Sequence, residues 1–281
     1  MLKSHPHRVV FAFREQLQAP FPEPYPESVL EQPQGEVSEG RPLVTVCISL
    51  YNYALHIVEA LESVLSQTEA RLNLVVVEDC SSDDSLQVAE RWMRAHAHRF
   101  SAVSLIQHEE NLGLSAARNT TVSLCDTPYV FILDADNLLY PRCVARCAAA
   151  LEADPNAAVA YPIIEKFGEA RGVMSNVVWN PDRFKRENCI DAMSLIRRDA
   201  LIAVDGYSEL TSVGKLGGED YELWCKFIDL DYYGIPVPEI LARYRIHKTS
   251  MLNSVSNQQD NLNKLCREML QLHPWLELSV P

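Results

Sequence analysis

The chain has 281 residues, of which 47% are hydrophobic and 22% charged, and its formal net charge is −13. This size and composition suit one large α/β domain, alone or with a tail, and exclude a wholly disordered chain. The acidic balance excludes a general binder of nucleic-acid backbones, so any phosphate held here needs a metal ion beside it.

The eight cysteines include no Cys-x-x-Cys pair and sit mostly in apolar surroundings, the pattern of buried thiols in a reducing cytoplasm. No apolar stretch approaches the ~20 residues of a membrane helix, which leaves only peripheral contact with the inner face of a membrane.

Residues 1–41 carry Pro20, Pro22, Pro24 and Pro26 in strict alternation, which disfavours both sheet and helix and makes this stretch an arm or linker. Within it, residues 7–17 could dock as one short element. From residue 42 the pattern changes. Residues 43–50 predict a buried strand, Tyr51 and Asn52 a polar loop, and residues 55–65 a helix from apolar spacing. The unit then repeats: a strand over 72–77 ends at Glu78 and Asp79, and Ser81 to Asp83 caps a helix reaching about residue 97. A strand over 103–107 leads to a turn at 111–115 and a helix over 116–123. Residues 129–136, Tyr-Val-Phe-Ile-Leu-Asp-Ala-Asp, form the fourth strand.

Strands alternating with helices predict a mostly parallel open sheet with helices on both faces. Ligands of such sheets bind at the carboxyl ends of the strands. That edge gathers Ser49 to Asn52, Asp79, Asn111 to Arg118, and Asp134 with Asp136. On an extended segment Asp134 and Asp136 point to one side while Ala135 points away, and carboxylate oxygens suit Mg²⁺ or Mn²⁺ shared with substrate phosphates.

Beyond a helix over 141–151 and a strand over 157–162, residues 163–190 read as long loops and residues 190–196 return to regular structure. Gly217 and Gly218 then turn the backbone into a helix opening with Glu219 and Asp220. A short strand over 232–237, the segment Arg243 to His247, and a terminal helix marked by Leu262, Leu265, Met269 and Leu272 complete the chain.

Ser49-Leu-Tyr-Asn52, Val77-Glu-Asp-Cys-Ser-Ser-Asp83, Asn111-Leu-Gly-Leu-Ser-Ala-Ala-Arg-Asn119, Asp134-Ala-Asp136, Gly217-Gly-Glu-Asp220 and Tyr244-Arg-Ile-His247 follow one another in the order of a known family. Over residues 43–250 the chain resembles the family 2 inverting glycosyltransferases of GT-A fold. The resemblance implies a nucleotide-sugar-binding half over 42–140, an acceptor-binding half over 141–252, and a C-terminal helix and tail over 253–281.

By the same resemblance, a nucleotide sugar, a uridine one by expectation, meets Ser49, Tyr51, Asn52, Asp79, Asn111, Arg118, Asp134 and Ala135. Asp79 would accept a hydrogen bond from the base, Arg118 would lie near the base or phosphates, and Asp136 with His247 would hold Mn²⁺ or Mg²⁺. Asp220 would be the catalytic base, with Glu219 and Trp179 on the side of a saccharide or lipid-linked acceptor. Many relatives have proline in place of Ser49 and aspartate in place of Glu78. The Gln-x-x-Arg-Trp signature of processive synthases is absent after Asp220, so one sugar is expected per reaction. The alternatives are a non-catalytic nucleotide-sugar-binding module and a sugar nucleotidyltransferase. The latter needs a glycine-rich basic loop where Ser49 to Asn52 stand.

Overall fold

A computed structural model describes residues 5–14, 43–248, 250, 256 and 258–279. The alternating prolines of the arm lie outside the described residues.

The described elements, in order, are β1 (His7–Arg14), β2 (Val44–Leu50), α1 (Ile57–Leu65), β3 (Leu72–Glu78), α2 (Ser85–His96), β4 (Ala102–His108), α3 (Leu114–Ser123), β5 (Tyr129–Asp134), β6 (Leu138–Leu139) and α4 (Cys143–Ala153). There follow β7 (Val159–Gly168), β8 (Gly172–Met174), α5 (Pro181–Phe184), β9 (Leu195–Arg197), α6 (Arg198–Ala203), α7 (Thr211–Leu216), α8 (Glu219–Asp229), β10 (Gly234–Ile246) and α9 (Gln259–Leu272). The sheet runs β1-β4-β3-β2-β5-β9-β7-β10-β6, with β8 paired to β7. Strands β4, β3, β2 and β5 are parallel, as are β7 and β10, while β1, β6, β8 and β9 pair antiparallel with their neighbours.

The central strands are apolar on both faces because both faces are covered. One face of the sheet, with Val46, Ile48, Leu74, Val76 and Phe131, packs on α1, α2 and α4 through Ile57, Leu61, Met93, Val144 and Leu151. On the other, Cys47, Val130 and Ile132 join Val122, Leu201, Leu223, Trp224 and Phe227 from α3, α6 and α8. The result is the three-layer α/β architecture expected from the strand–helix repetition.

The structure realises one open expectation and departs from two others. Of the segment over 7–17 that could dock as one short element, residues 7–14 form β1, an edge strand antiparallel to β4, so this part of the arm belongs to the sheet; the rest lies outside the described residues. Residues 163–190 are not all loop: β7 continues through charged Glu165 and Lys166 to Gly168 and turns back as β8. Likewise the stretches expected over 232–237 and 243–247 are joined in one 13-residue strand, β10, which begins at Gly234 and ends at Ile246. Its register shifts twice against β7, which breaks the apolar alternation that a sequence reading relies on.

Candidate active site

Strand β5 ends at Asp134 on the carboxyl edge of the sheet, and Asp136 follows in a turn closed by the Asn137 N–H on the Asp134 carbonyl, so the extended segment expected to reach residue 136 stops two residues short. Ala135 between them is 1% exposed and its methyl joins the core, so its side chain takes no part in the crevice. Asp136 is 8% exposed, and its Oδ2 accepts from Nε2 of His247 at 2.8 Å. The imidazole of His247 lies against the rings of Tyr53 and His56. Arg245, two residues earlier on β10, donates from Nε to the carbonyl of Asp136 and from its backbone N–H to Oδ1 of Asn137. Burial, followed by the nearby charge of Asp134, pushes the Asp136 carboxyl up.

Arg118 comes from α3, a helix of small residues whose whole span from Ser115 to Val122 is buried. Its Nη2 donates to Oδ1 of Asp134 at 2.8 Å and its Nη1 to Oε1 of Glu219 at 2.6 Å. The guanidinium also stands 5.3 Å from the Tyr207 ring centre. The two carboxylates hold it firmly in its charged form despite burial. Arg118 therefore ties the end of β5 to the start of α8, and at 2% exposure it presents no open face to a phosphate.

Helix α8 starts where two glycines allow it. Gly217 closes α7 in the left-handed region at φ 83°, and a Cβ on Gly218 would meet Leu265 of α9 at 2.5 Å. Glu219 is 4% exposed, and burial together with Asp220 pushes its carboxyl up to about 7 against the pull of Arg118. Asp220 is half-buried; its Oδ2 accepts from Nδ2 of Asn188 at 2.9 Å and its Oδ1 from the N–H of Tyr221 at 2.7 Å. Burial first, then Asp191, pushes Asp220 up to about 6. A carboxylate poised there can accept a proton near neutral pH.

The structure changes the part expected of several residues. Asp79 is 3% exposed and spends its oxygens on the protein: His108 Nδ1 at 2.7 Å, the N–H of Leu112 at 2.9 Å and the N–H of Gly113 at 2.8 Å. It shapes the turn into α3 and has little capacity left for a base. Asn111 likewise donates to the Asp79 carbonyl. Asn52, at φ 57°, accepts from the N–H of Ser82 and bridges the first two loops, as does Asp83 through the N–H groups of Ala54 and Ser85. Of the first loop, Tyr51 remains open at 45% exposure, while Ser49 is half-buried on β2.

Trp179 packs 4.8 Å from Phe184 and edge-on to Trp224, and its ring fills the space above Gly234. It is a wall of the second core rather than an open sugar platform. Asp191 was not singled out in the sequence. The signal was there: an acid directly ahead of the apolar run Ala192-Met-Ser-Leu-Ile196, in a segment entering the sheet.

No metal cluster of three or more His, Cys, Asp or Glu side chains occurs among the described residues. Asp136 and His247 nevertheless fit a divalent cation. A carboxylate raised by burial and then by a second acid would be relieved by a positive charge, and an oxygen–nitrogen donor pair suits Mn²⁺.

An open mixed sheet with paired acids at the end of a central parallel strand, tied through Arg118 to a helix start that bears further acids, defines a nucleotide-sugar-transferase architecture. The sequence profile of glycosyl transferase family 2 matches residues 45–204, and the chain belongs to that family. It is 27% identical over 209 residues to the putative glycosyltransferase EpsE of Bacillus subtilis, covering 73% of each chain. It is 26% identical over 235 residues to chondroitin synthase of Escherichia coli, covering 82% of this chain and 33% of that longer one.

Among solved structures, S. aureus TarS 1-349 in complex with UDP-GlcNAc superposes with a TM-score of 0.65 at 19% identity, covering 85% of this chain and 68% of that one. The mannosyltransferase PcManGT of Pyrobaculum calidifontis, in complex with GDP-Man and Mn²⁺, gives 0.61 at 21%, covering 82% and 64%. These structures establish the shared GT-A fold. No helix among the described residues is long and apolar enough to cross a membrane.

Proposed function

We propose that the protein is a metal-dependent, inverting glycosyltransferase that moves one hexosyl or N-acetylhexosaminyl unit from a nucleotide sugar, a UDP-sugar in the first instance, to a hydroxyl of a saccharide or lipid-linked acceptor. The observation that carries this reading is the double ion pair of Arg118, which fixes the donor-side acid Asp134 and the helix start bearing Asp220 around one crevice. UDP-GlcNAc in TarS and GDP-Man with Mn²⁺ in PcManGT support a nucleotide sugar and a cation as the ligands of this fold.

In this reading the exposed ring of Tyr51 stacks on the base, and Asp136 with His247 would hold the cation. A divalent cation bound there would neutralise the negative charge that develops on a leaving nucleoside diphosphate. Asp220, aimed by Asn188, takes the proton of the incoming hydroxyl, which attacks the anomeric carbon from the face opposite the leaving group. One displacement of that kind inverts the centre. Arg118 and Asp79 position groups without touching substrate, which departs from the roles that the resemblance implied for them.

The test is a thermal-shift series with UDP, GDP, CMP and dTDP, each with and without Mn²⁺. Ligand binding to the native state raises apparent stability by mass action. A rise for one diphosphate that disappears without Mn²⁺ is expected, and equal shifts with and without the metal would contradict the metal-dependent reading.

A further inference from the structure

Asp191 has no part in the mechanism above, yet the fold brings it to the same edge. Strand β9 runs antiparallel to β5 with Leu195 opposite Phe131, and the N–H of Ile132 donates to the Ser194 carbonyl at 3.1 Å. Three residues ahead of Ser194 on this segment, Asp191 lies close enough to feel the charges of Asp134 at the end of β5 and of Glu219 at the start of α8, and its own charge acts on Asp220. The segment is anchored at both ends. The N–H of Asp191 donates to Oγ of Ser175 at 3.0 Å, and three residues earlier Asn188 holds Asp220.

Oδ1 of Asp191 accepts from the N–H of Met193 at 2.9 Å, while its second oxygen accepts from none of the described residues. The nearby cation is spoken for: Arg118 gives one donor pair to Asp134 and Glu219 and none to Asp191 or Asp220. Glu219, almost wholly buried beside them, also keeps Oε2 without a partner. Asp191 and Asp220, which no cation among the described residues pairs with, call for hydroxyl donors and disfavour an anionic group on the sugar beside them.

We propose that Asp191 is a specificity-determining residue of this site: its open carboxylate oxygen accepts a hydrogen bond from a ring hydroxyl of the transferred sugar, and its charge beside Asp220 restricts the donor to uncharged sugars, excluding uronic acids. The inference rests on the nucleotide-sugar reading given above and adds the class of sugar. Burial and the charges of Asp134 and Glu219 push Asp191 up to about 7, so the discrimination sharpens as the pH rises past that value.

The experiment is calorimetric titration of the full chain with Mn²⁺ at about pH 8, above the values of both acids. The probes are UDP, UDP-glucose and UDP-glucuronate, or GDP, GDP-mannose and GDP-mannuronate where GDP is the diphosphate bound. The wild type is expected to bind the neutral sugar nucleotide at least about tenfold more tightly than the uronate. Asp191→Asn keeps an acceptor for the Met193 N–H and is expected to bind the bare diphosphate as before while narrowing that ratio to about threefold or less.

Equal affinities for neutral and uronate donors in the wild type, or an unchanged ratio in Asp191→Asn, would overturn the inference. Absence of binding by either bare diphosphate would instead overturn the nucleotide-sugar reading beneath it. Should Asp191→Asn fail to fold, the wild-type ratio alone decides.

Discussion

Arg118 and Glu219 lie 101 positions apart and meet at 2.6 Å, with side chains only 3% and 5% exposed. Their contact joins α3, which follows β4, to α8, at whose start the proposed base Asp220 stands. A buried pair of this kind adds little over a well-packed apolar pair, but removing one partner strands the other without compensation. Arg118→Gln leaves both Glu219 and Asp134 facing no cation. The expected loss is about 3–5 kcal/mol of unfolding free energy, measured by urea titration, with little loss for Glu219→Gln, whose neutral side chain resembles the protonated carboxyl that burial favours. The double substitution should cost less than the sum of the two, because the stranded charge is then gone.

Stability and activity should respond oppositely to pH. Asp191, Glu219 and Asp220 are pushed up to about 7, 7 and 6, above the carboxylate values of an unfolded chain. The native state therefore binds more protons than the unfolded state between about pH 4 and 7, and the stability these groups contribute is present below that window and lost as pH rises through it. Urea midpoints of the ligand-free protein should fall from about pH 5 to about pH 7.5. Glu219→Gln should flatten the slope. Transfer needs Asp220 deprotonated, so its rate should instead drop on the acid side of about 6.

Removal of residues 1–14 takes β1 from the sheet. Seven residue pairs in antiparallel register with β4 are lost, together with the Phe11 ring under Arg94 and the contact of His5 with Glu209. The open edge of β4 becomes a template for intermolecular pairing. A lower melting temperature and concentration-dependent aggregation are expected, seen by calorimetry and light scattering. Nucleotide binding by the folded fraction should persist.

The C-terminal segment is clasped by one carboxylate. Asp229 at the end of α8 accepts from His273 Nδ1 and from Trp275 Nε1, each at 2.6 Å. Glu222 and Asp229 raise the His273 imidazole against the effect of its burial, which favours the charged donor. Asp229→Ala leaves a buried histidine short of a partner and should cost about 1–3 kcal/mol, with a red-shifted Trp275 emission as the indole loses its anchor. Because α9 carries Leu265 against Gly218, the same substitution should also lower the turnover rate more than nucleotide affinity.

The central sheet was legible in the sequence because its strands are continuous apolar runs closed by polar loops. β2, β3, β4 and β5 fall within a residue or two of their expected positions. β1 was legible only as a short element within 7–17 that could dock, not as a strand, because it is half-exposed and sits beside the proline alternation, where composition argues for an arm. The length of β10 escaped because its register shifts interrupt the period.

At the site, the residue types were visible but their spending was not. Nothing in the spacing of Asp79 reveals that the turn over 111–113 turns its N–H groups toward that carboxylate. Arg118 likewise shows no sequence mark of the two acids that occupy it. Hydrogen bonds between segments dozens of residues apart depend on the folded loops, and only the fold discloses which polar groups remain open to a ligand.

The most direct test of the whole account is release of nucleoside diphosphate from a panel of nucleotide sugars with Mn²⁺, compared between the wild type and Asp220→Asn with diphosphate binding measured alongside. The account expects wild-type turnover of at least one neutral donor, and an Asp220→Asn enzyme that binds the diphosphate unchanged but turns over at least about a hundredfold more slowly. An Asp220→Asn enzyme with full activity would contradict it.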